Sequence, residues 1–300
     1  MLKNNPVKQH TVPKTYLKHF SHNSKNIFVH DKNKNTVEER NIKSVSIIKD
    51  FYTFVDEKTG EKHYDLENLL GESIEPNYNS AIDSILKNGT LENSAKVELA
   101  KFMAAQLLRS PKTKKVILDE VKEVYLSGES KRFTDPQHLE TLKQSFEMDG
   151  TPISKEEFER EMKKENVRVI VDVEDPCYLQ QMGNKLVQLI KEMLNKEWTL
   201  LLTPAKRSLI TSDNPLFNTE DYPNILFGRL KGEIFVLTKQ LGVMVSEKRE
   251  IYNYNYIDLD LKEVRTINRS IQLNSDRWIF SHSRELLCKN IKHVNTKVTV

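Results

Sequence analysis

The stretch "WTLLLTPAKRSLITSDNPLF", Trp198–Phe217, continued by "EIFVLT" at Glu233–Thr238 and "LGVMVS" at Leu241–Ser246, decides the fold class. Its apolar runs are short and dense and are punctuated by Pro, Lys and Asn, which reads as strand rather than helix. The connections are short and polar, as in an antiparallel sheet with one covered face. Inside this block the run "SLIT" climbs through Leu209 and Ile210 and then stops on Thr211, Ser212, Asp213 and Asn214 before Pro215. Four small polar groups at a strand end either close a turn or line a site. Asp213 suits an Asx turn, and Asn214 before a proline is biased to extended backbone. The same geometry would present Thr211, Ser212 and Asp213 at the rim of a sheet, where ligand groups commonly sit.

Upstream, residues 1–60 form a strand-rich subregion. "NIFVHDKNKNTVEER" alternates around an Asn-Lys-Asn turn, which is hairpin chemistry, and "DFYTFVDEKTGE" is a strand ending at Gly60. Before them, "VKQHTVPKTYLKHFS" is a short helix begun at Pro13, with Tyr16, Leu17 and Phe20 on one stripe.

Residues 61–196 are helical. From Asp65 to Lys87, Leu66, Leu69, Leu70, Ile74, Tyr78, Ile82 and Ile85 mark one buried face, and Pro76 is predicted to kink or split that helix. "NSAKVELAKFMAAQLLRSP" is a helix capped by Ser94 and ended at Ser110 by Pro111. Charged helices follow, with a capping box at Ser154–Glu157, a strand "VRVIVDV" from Val167 and a helix from Asp175 to Trp198.

Residues 197–300 hold the sheet, the helix "LKEVRTINRSIQLNS", the strand "RWIFSH" and the helix "SRELLCKNIKHV". The fold class that follows is α+β, one domain over 1–300, a central helical mass flanked by a small N-terminal strand-rich unit and a C-terminal antiparallel sheet.

Composition bounds the function. With 38% hydrophobic residues the chain can bury a core, and a net charge of +3 excludes a global basic field. Yet Met1–Asp50 carries ten Lys/Arg against four Asp/Glu, together with His10, His19, His22 and His30, a face that suits phosphates if it is more than a solvated surface. Cys177 and Cys288 are too few for a disulfide framework or a zinc ribbon. The N-terminus lacks the apolar run of a signal peptide and no window suits a membrane span, so the expectation is a cytoplasmic protein without membrane contact.

No Gly-rich phosphate loop, His-Glu-x-x-His, nucleophile elbow or Cys-x-x-Cys is present, which removes the most legible enzyme classes. What remains is a set of polar side chains in unexpected places. His10 stands just before the first helix, near Tyr16. Glu75, with Glu67 and Glu72, lies at the Pro76 kink beside an apolar face, where a carboxylate must find a partner or raise its pKa. Gln106 and Arg109 are neighbours on a helix surface, and a buried Arg109 would need a carboxylate, with Glu75 the obvious one.

Taken in order, "HTVPKTYLKHF", "DFYTF", "SIE" at Ser73–Glu75, "QLLRSP" and "LITSDNPLF" resemble a bacterial and phage family known as a domain of unknown function. Its marks, His-x-Val-Pro-x-x-Tyr-Leu, Phe-Tyr, Ile-Glu, Gln-x-x-Arg-Thr-Pro and Thr-Ser-Asp-x-Pro, fall here on His10, Val12, Pro13, Tyr16, Leu17, Phe51, Tyr52, Glu75, Gln106, Arg109, Pro111 and Thr211–Pro215. Ser110 replaces the usual Thr and keeps the hydroxyl. The family implies no activity.

Most signature residues are polar or ionisable, and the expectation drawn from them is one pocket between the helical mass and the sheet. His10, Glu75, Arg109 and Asp213 are the catalytic candidates; Tyr16, Gln106, Ser212 and Asn214 are the substrate-binding ones. The set suits a hydrolase of phosphodiesters, most simply a nuclease, whose partner is nucleic acid or a nucleotide. His10 would be the acid or base and Arg109 would stabilise the pentavalent phosphate. Glu75 and Asp213 would hold a divalent cation or orient the other two. The alternative is a non-catalytic binding, sensor or interaction protein in which Glu75 and Arg109 form a buried ion pair and "TSDNP" is a turn.

Overall fold

Short strands come first along the chain. In the computed structural model, which describes residues 8–51, 53–55, 59–132, 154, 156, 175–247 and 255–295, β1 (Lys8–His10) leads into helix α1 (Lys14–Leu17). Pro13 is the residue before that helix, with φ −62° and ψ 142°, so the proline sets the chain direction at the helix start. A hairpin of β2 (Asn26–Asp31) and β3 (Thr36–Asn41) follows, then β4 (Ile47–Lys49), which pairs antiparallel with β1. The strand expected to end at Gly60 is instead a small hairpin, β5 (Phe54–Val55) with β6 (Lys62–His63).

Helix α2 (Asp65–Leu69) passes through a π-helical turn, Leu70–Ile74, into α3 (Glu75–Asn88); α4 (Asn93–Leu108) packs on α3, and α5 (Pro111–Arg132) begins after a two-residue break. Glu92, not Ser94, is the residue before α4, and it makes no side-chain cap. Helix α6 (Asp175–Asn195) precedes β7 (Glu197–Leu202). The capping box proposed at Ser154–Glu157 and the strand proposed from Val167 lie outside the described residues, wholly or in part, as does Tyr52.

Strands β8 (Thr211–Ser212), β9 (Leu216–Asn218), β10 (Glu233–Val236), β11 (Leu241–Ser246) and β12 (Tyr256–Asp258) come next. Helix α7 (Leu261–Asn274), β13 (Trp278–Ser281) and helix α8 (Arg284–Asn295) are the last of the described elements. One sheet has the order β12-β7-β11-β10-β9, antiparallel except for the parallel β12–β7 pair. A second has the order β3-β2-β13-β8. The N-terminal hairpin therefore shares its sheet with strands from residues 211–281 and does not stand as a unit of its own. The fold class is α+β as the patterning indicates.

Two compact units result: residues 1–114 with 179–300, and residues 115–178. Every residue discussed below belongs to the first. Its core includes Tyr16, Phe20, Tyr78, Phe102 and Phe235, all at or below 1% exposure. The Tyr78 and Phe102 rings are 4.0 Å apart and Tyr16 lies 5.0 to 5.8 Å from the other four. Among the described residues no helix is long and apolar enough to cross a membrane.

Candidate functional site

His10 ends β1, where pairing opposite Ile47 fixes its backbone. Its ring is half-buried, and Nδ1 lies 3.2 Å from the Val45 carbonyl oxygen. A carbonyl accepts only from an N–H, so the contact places the neutral ring's proton on Nδ1 and leaves Nε2 with its lone pair. Burial lowers the His10 pKa below 6.5. Lys14 pushes the same way, the Val45 carbonyl and Glu75 oppose, and Arg109 adds to the lowering.

Arg109 follows the last residue of α4 and is 2% exposed; its Nη2 donates to Glu75 Oε1 at 2.7 Å. Glu75, at 21% exposure, begins α3. The expected Glu75–Arg109 pair is therefore present and largely withdrawn from water. One turn back on α4, Gln106 donates from Nε2 to the Thr11 carbonyl at 3.0 Å, which ties α4 to the residue after His10.

The π-turn adds a group to this set. Pro76 has no N–H and its ring crowds the carbonyl four residues back, so an α-helix cannot run through it unaltered. The chain shifts register just before the proline: the Glu75 N–H bonds the Leu70 carbonyl, five residues back. A π-turn absorbs one extra residue. Glu67 and Glu75, eight apart in sequence, are thus spaced like residues seven apart, about 20° from alignment rather than about 80° at 100° per residue. Burial raises the Glu67 pKa above 4.5; Arg109 and Lys14 pull it down and Glu75 pushes it up. Its Oε2 is buried without a hydrogen-bond partner. His10 and Glu67 therefore share the same three charged neighbours, Lys14, Glu75 and Arg109.

Asp213 is employed elsewhere. Oδ1 accepts the Asp276 amide at 2.9 Å, and Oδ2 accepts those of Arg277 and Trp278 at 2.7 and 2.9 Å. At 2% exposure it is a tether for the turn between α7 and β13. Burial pushes its carboxyl up to about 6 although the Trp278 and Arg277 amides pull it down.

The other expected ligand contacts are likewise internal. Tyr16 donates its hydroxyl to the Val236 carbonyl at 2.6 Å and lies 2.6 Å from the Thr211 hydroxyl, at 0% exposure. Ser212 Oγ accepts the Asn214 amide at 3.1 Å, and Asn214 exchanges side-chain-to-carbonyl bonds with Asn274 at 3.3 and 2.9 Å. Ser212, Asn214 and Gln106 are all buried.

The "TSDNP" stretch thus closes a turn, and Tyr16, Ser212 and Asn214 hold the fold together. Lys14 and Glu67 join His10, Glu75 and Arg109. The eight-residue interval from Glu67 to Glu75 was the available signal for Glu67; for Lys14 there was none beyond its place at a helix start. Among the described residues no group of three or more His, Cys, Asp or Glu is placed to hold a metal ion.

The family description "Protein of unknown function (DUF4238)" matches residues 8–285. The chain belongs to this family. The DUF4238 match takes in both the ionic group from His10 to Arg109 and the Asp213 tether. No curated protein and no solved structure matches the chain.

Proposed function

We propose that the chain is a hydrolase of phosphodiesters, most simply a nuclease of a bacterial or phage-related cytoplasmic system, working through His10, Glu67, Glu75, Arg109 and Lys14. One observation carries the reading: a histidine with a lowered pKa and a carboxyl with a raised pKa share the same two cations. Environments that displace two titratable groups in this way assign a base and an acid.

In this reaction His10 Nε2 takes a proton from water as the water oxygen bonds to phosphorus. The bridging P–O bond breaks and the leaving oxygen takes the Glu67 proton. Lys14 and Arg109 set positive charge beside the phosphoryl oxygens, and Glu75 holds the guanidinium in place. The His10 imidazolium then loses its proton to solvent and Glu67 regains one. Since acid and base are both side chains, cleavage is expected to persist in a chelator.

The test is cleavage of end-labelled single-stranded RNA and DNA, with and without chelator, by the wild type, His10→Ala and Glu67→Gln. Each substitution is expected to lower the rate about 100-fold or more with the unfolding midpoint little changed. Absence of cleavage by the wild type, or unchanged rates in both variants, would refute the reading.

A second reading has its own support. Arg109 is 2% exposed and already bonded to Glu75, the arrangement of a structural ion pair in a non-catalytic binding or sensor protein. There, loss of either partner would destabilise the fold and no strand would be cut.

A further inference from the structure

The corner where α7 gives way to β13 buries three side-chain oxygens without a hydrogen-bond partner: Asn214 Oδ1, Gln272 Oε1 and Asp276 Oδ2. Asn214 and Gln272 are 6% and 7% exposed, and Asp276 is half-buried. Buried acceptors in folded proteins are nearly always satisfied, so three open ones in one corner call for a donor or a cation.

Hydrogen bonds on either side bring the three together. Helix α7 runs beside Ser208–Leu216 and is tied to it twice. Asn268 donates to the Ser208 carbonyl at 3.1 Å and accepts the Ile210 amide at 2.9 Å, and Asn274 donates to the Asn214 and Leu216 carbonyls at 2.9 and 2.7 Å. Gln272 stands four residues after Asn268, on the same stripe one turn along, and so faces the segment between the two ties. Asn214 turns toward the same helix end, its Nδ2 donating to the Asn274 carbonyl at 3.3 Å. A carbonyl accepts only from an N–H, so that bond fixes the carboxamide and leaves Oδ1 as the open acceptor. Asp276 is held against the preceding residue of that turn, its amide donating to Asp213 Oδ1 at 2.9 Å.

The charges favour a cation. Burial raises the pKa of Asp213 and of Asp276, and the Asp276 charge adds to the rise at Asp213; Lys112 and Lys32 pull Asp276 down. Lys32 is engaged by Ser275, donating from Nζ to its carbonyl at 2.6 Å and to its Oγ at 3.3 Å. Arg277 forks onto Asp31 at 2.8 and 3.1 Å. The carbonyl end of α7 adds its own partial negative charge. Two amide oxygens and one carboxylate make a hard oxygen set of the kind calcium accepts, which takes Asn and Gln carbonyls in flexible geometry and completes its shell with water. Magnesium demands a near-ideal octahedron. Asp276 is the one acidic ligand, so the set differs from the clusters of three or more His, Cys, Asp or Glu that are absent among the described residues.

We propose that Asn214, Gln272 and Asp276 form a calcium-type cation site that clamps the end of α7 to the "TSDNP" turn. Asp213 takes no part, since both of its oxygens are bonded to amides. The site shares no residue with the ionic group, and the cleavage proposed above does not depend on it. A single carboxylate gives weak binding, with a Kd of about 1 mM.

The experiment is thermal unfolding of the full chain, stripped with chelator and then measured in calcium, magnesium or potassium chloride at matched ionic strength. Calcium at about 10 mM should raise the wild-type midpoint by about 3 °C, magnesium by less, and potassium not at all. Asp276→Asn should abolish the rise. Gln272→Glu should unfold at a lower temperature than the wild type in chelator and show a rise about twice as large in calcium, a result that stands even if Asp276→Asn fails to fold. Terbium supplies a direct probe, because Trp278 lies at this corner and the other tryptophan, Trp198, is in β7. Terbium emission excited through tryptophan should be displaced by calcium, lost in Trp278→Phe and kept in Trp198→Phe. An equal rise in potassium, an unchanged rise in Asp276→Asn, no added rise in Gln272→Glu, or emission that follows Trp198 overturns the site.

Discussion

Substitution of Asp213 sets an architectural role against a catalytic one at a single residue. Its two carboxylate oxygens accept three backbone amides, from Asp276, Arg277 and Trp278, at 2.7 to 2.9 Å and 2% exposure. Asp213→Ala leaves those donors without an acceptor, at about 1–3 kcal/mol for each buried one, and the expected loss is about 3–5 kcal/mol after local relaxation. Asp213→Asn keeps one oxygen and turns an N–H₂ toward amide donors, with an expected loss of about 2 kcal/mol.

The pH dependence has a definite sign. With the folded carboxyl pushed up to about 6 from 3.8, the folded chain binds a proton that the unfolded chain does not between those values. The contribution of Asp213 is therefore fully present below about pH 4 and lost as pH rises through about 6, roughly 3 kcal/mol in all. Asparagine does not titrate, so the gap between wild type and Asp213→Asn should widen as pH falls from about 7 to about 4.5. Urea unfolding followed by far-ultraviolet circular dichroism measures both quantities. An Asp213→Ala chain within about 0.5 kcal/mol of wild type at neutral pH, or a gap that narrows on acidification, would refute the tether. A catalytic Asp213 requires the opposite pattern, activity lost and the midpoint unmoved.

Two further outcomes follow from the ionic group. Glu75→Gln removes the carboxylate charge paired with a guanidinium that is 2% exposed and should cost about 3 kcal/mol in thermal unfolding, while Glu75→Gln combined with Arg109→Met should recover most of it. If His10 is the base and Glu67 the acid, kcat/KM is bell-shaped, with one limb displaced below 6.5 and the other above 4.5. The optimum then lies on the acid side of neutrality and Glu67→Gln removes the alkaline limb; an optimum near pH 8 or higher would exclude this pair.

The α+β class was legible in the sequence because strand and helix periodicities occupy different parts of the chain, and the run from Trp198 to Ser246 alternates too tightly with polar turns to be helical. The sharing of one sheet by the β2–β3 hairpin and β13 was not legible. That pairing joins Phe28 to Ser281 and His30 to Ile279, and nothing local in either segment names the other. Ser94 looked like a cap by residue type, but backbone geometry places Glu92 at that position, with φ −72° and ψ 154°. The Glu75–Arg109 pair could be anticipated because a buried guanidinium demands a carboxylate. The membership of Glu67 depended on the helix changing its hydrogen-bond register before Pro76. A proline announces a disturbance without announcing its form.

The polar residues of the signature divide according to what their hydrogen-bonding groups meet. Asp213, Ser212 and Tyr16 are matched to backbone amides, a carbonyl and a neighbouring hydroxyl, and Asn214 exchanges bonds with Asn274 although its Oδ1 is buried without a partner, contacts that fix the ends of β8 and the start of α1. Buried polar groups must be satisfied somewhere, and a sheet corner that buries several of them needs side chains as specific as any active site would. Sequence alone cannot separate the two uses, since both call for Asp, Ser and Asn at fixed spacing. Hydrogen-bond partners, not displaced pKa values, separate the ionisable groups, since burial also pushes Asp213 up to about 6 while both of its oxygens are bonded to backbone amides. His10 and Glu67 retain an unshared lone pair on Nε2 and an unpartnered Oε2, and their pKa values are displaced in opposite directions beside the same two cations. An ionisable group that keeps a free lone pair or an unpartnered oxygen can still exchange a proton, and that difference supports the chemistry proposed at the π-turn.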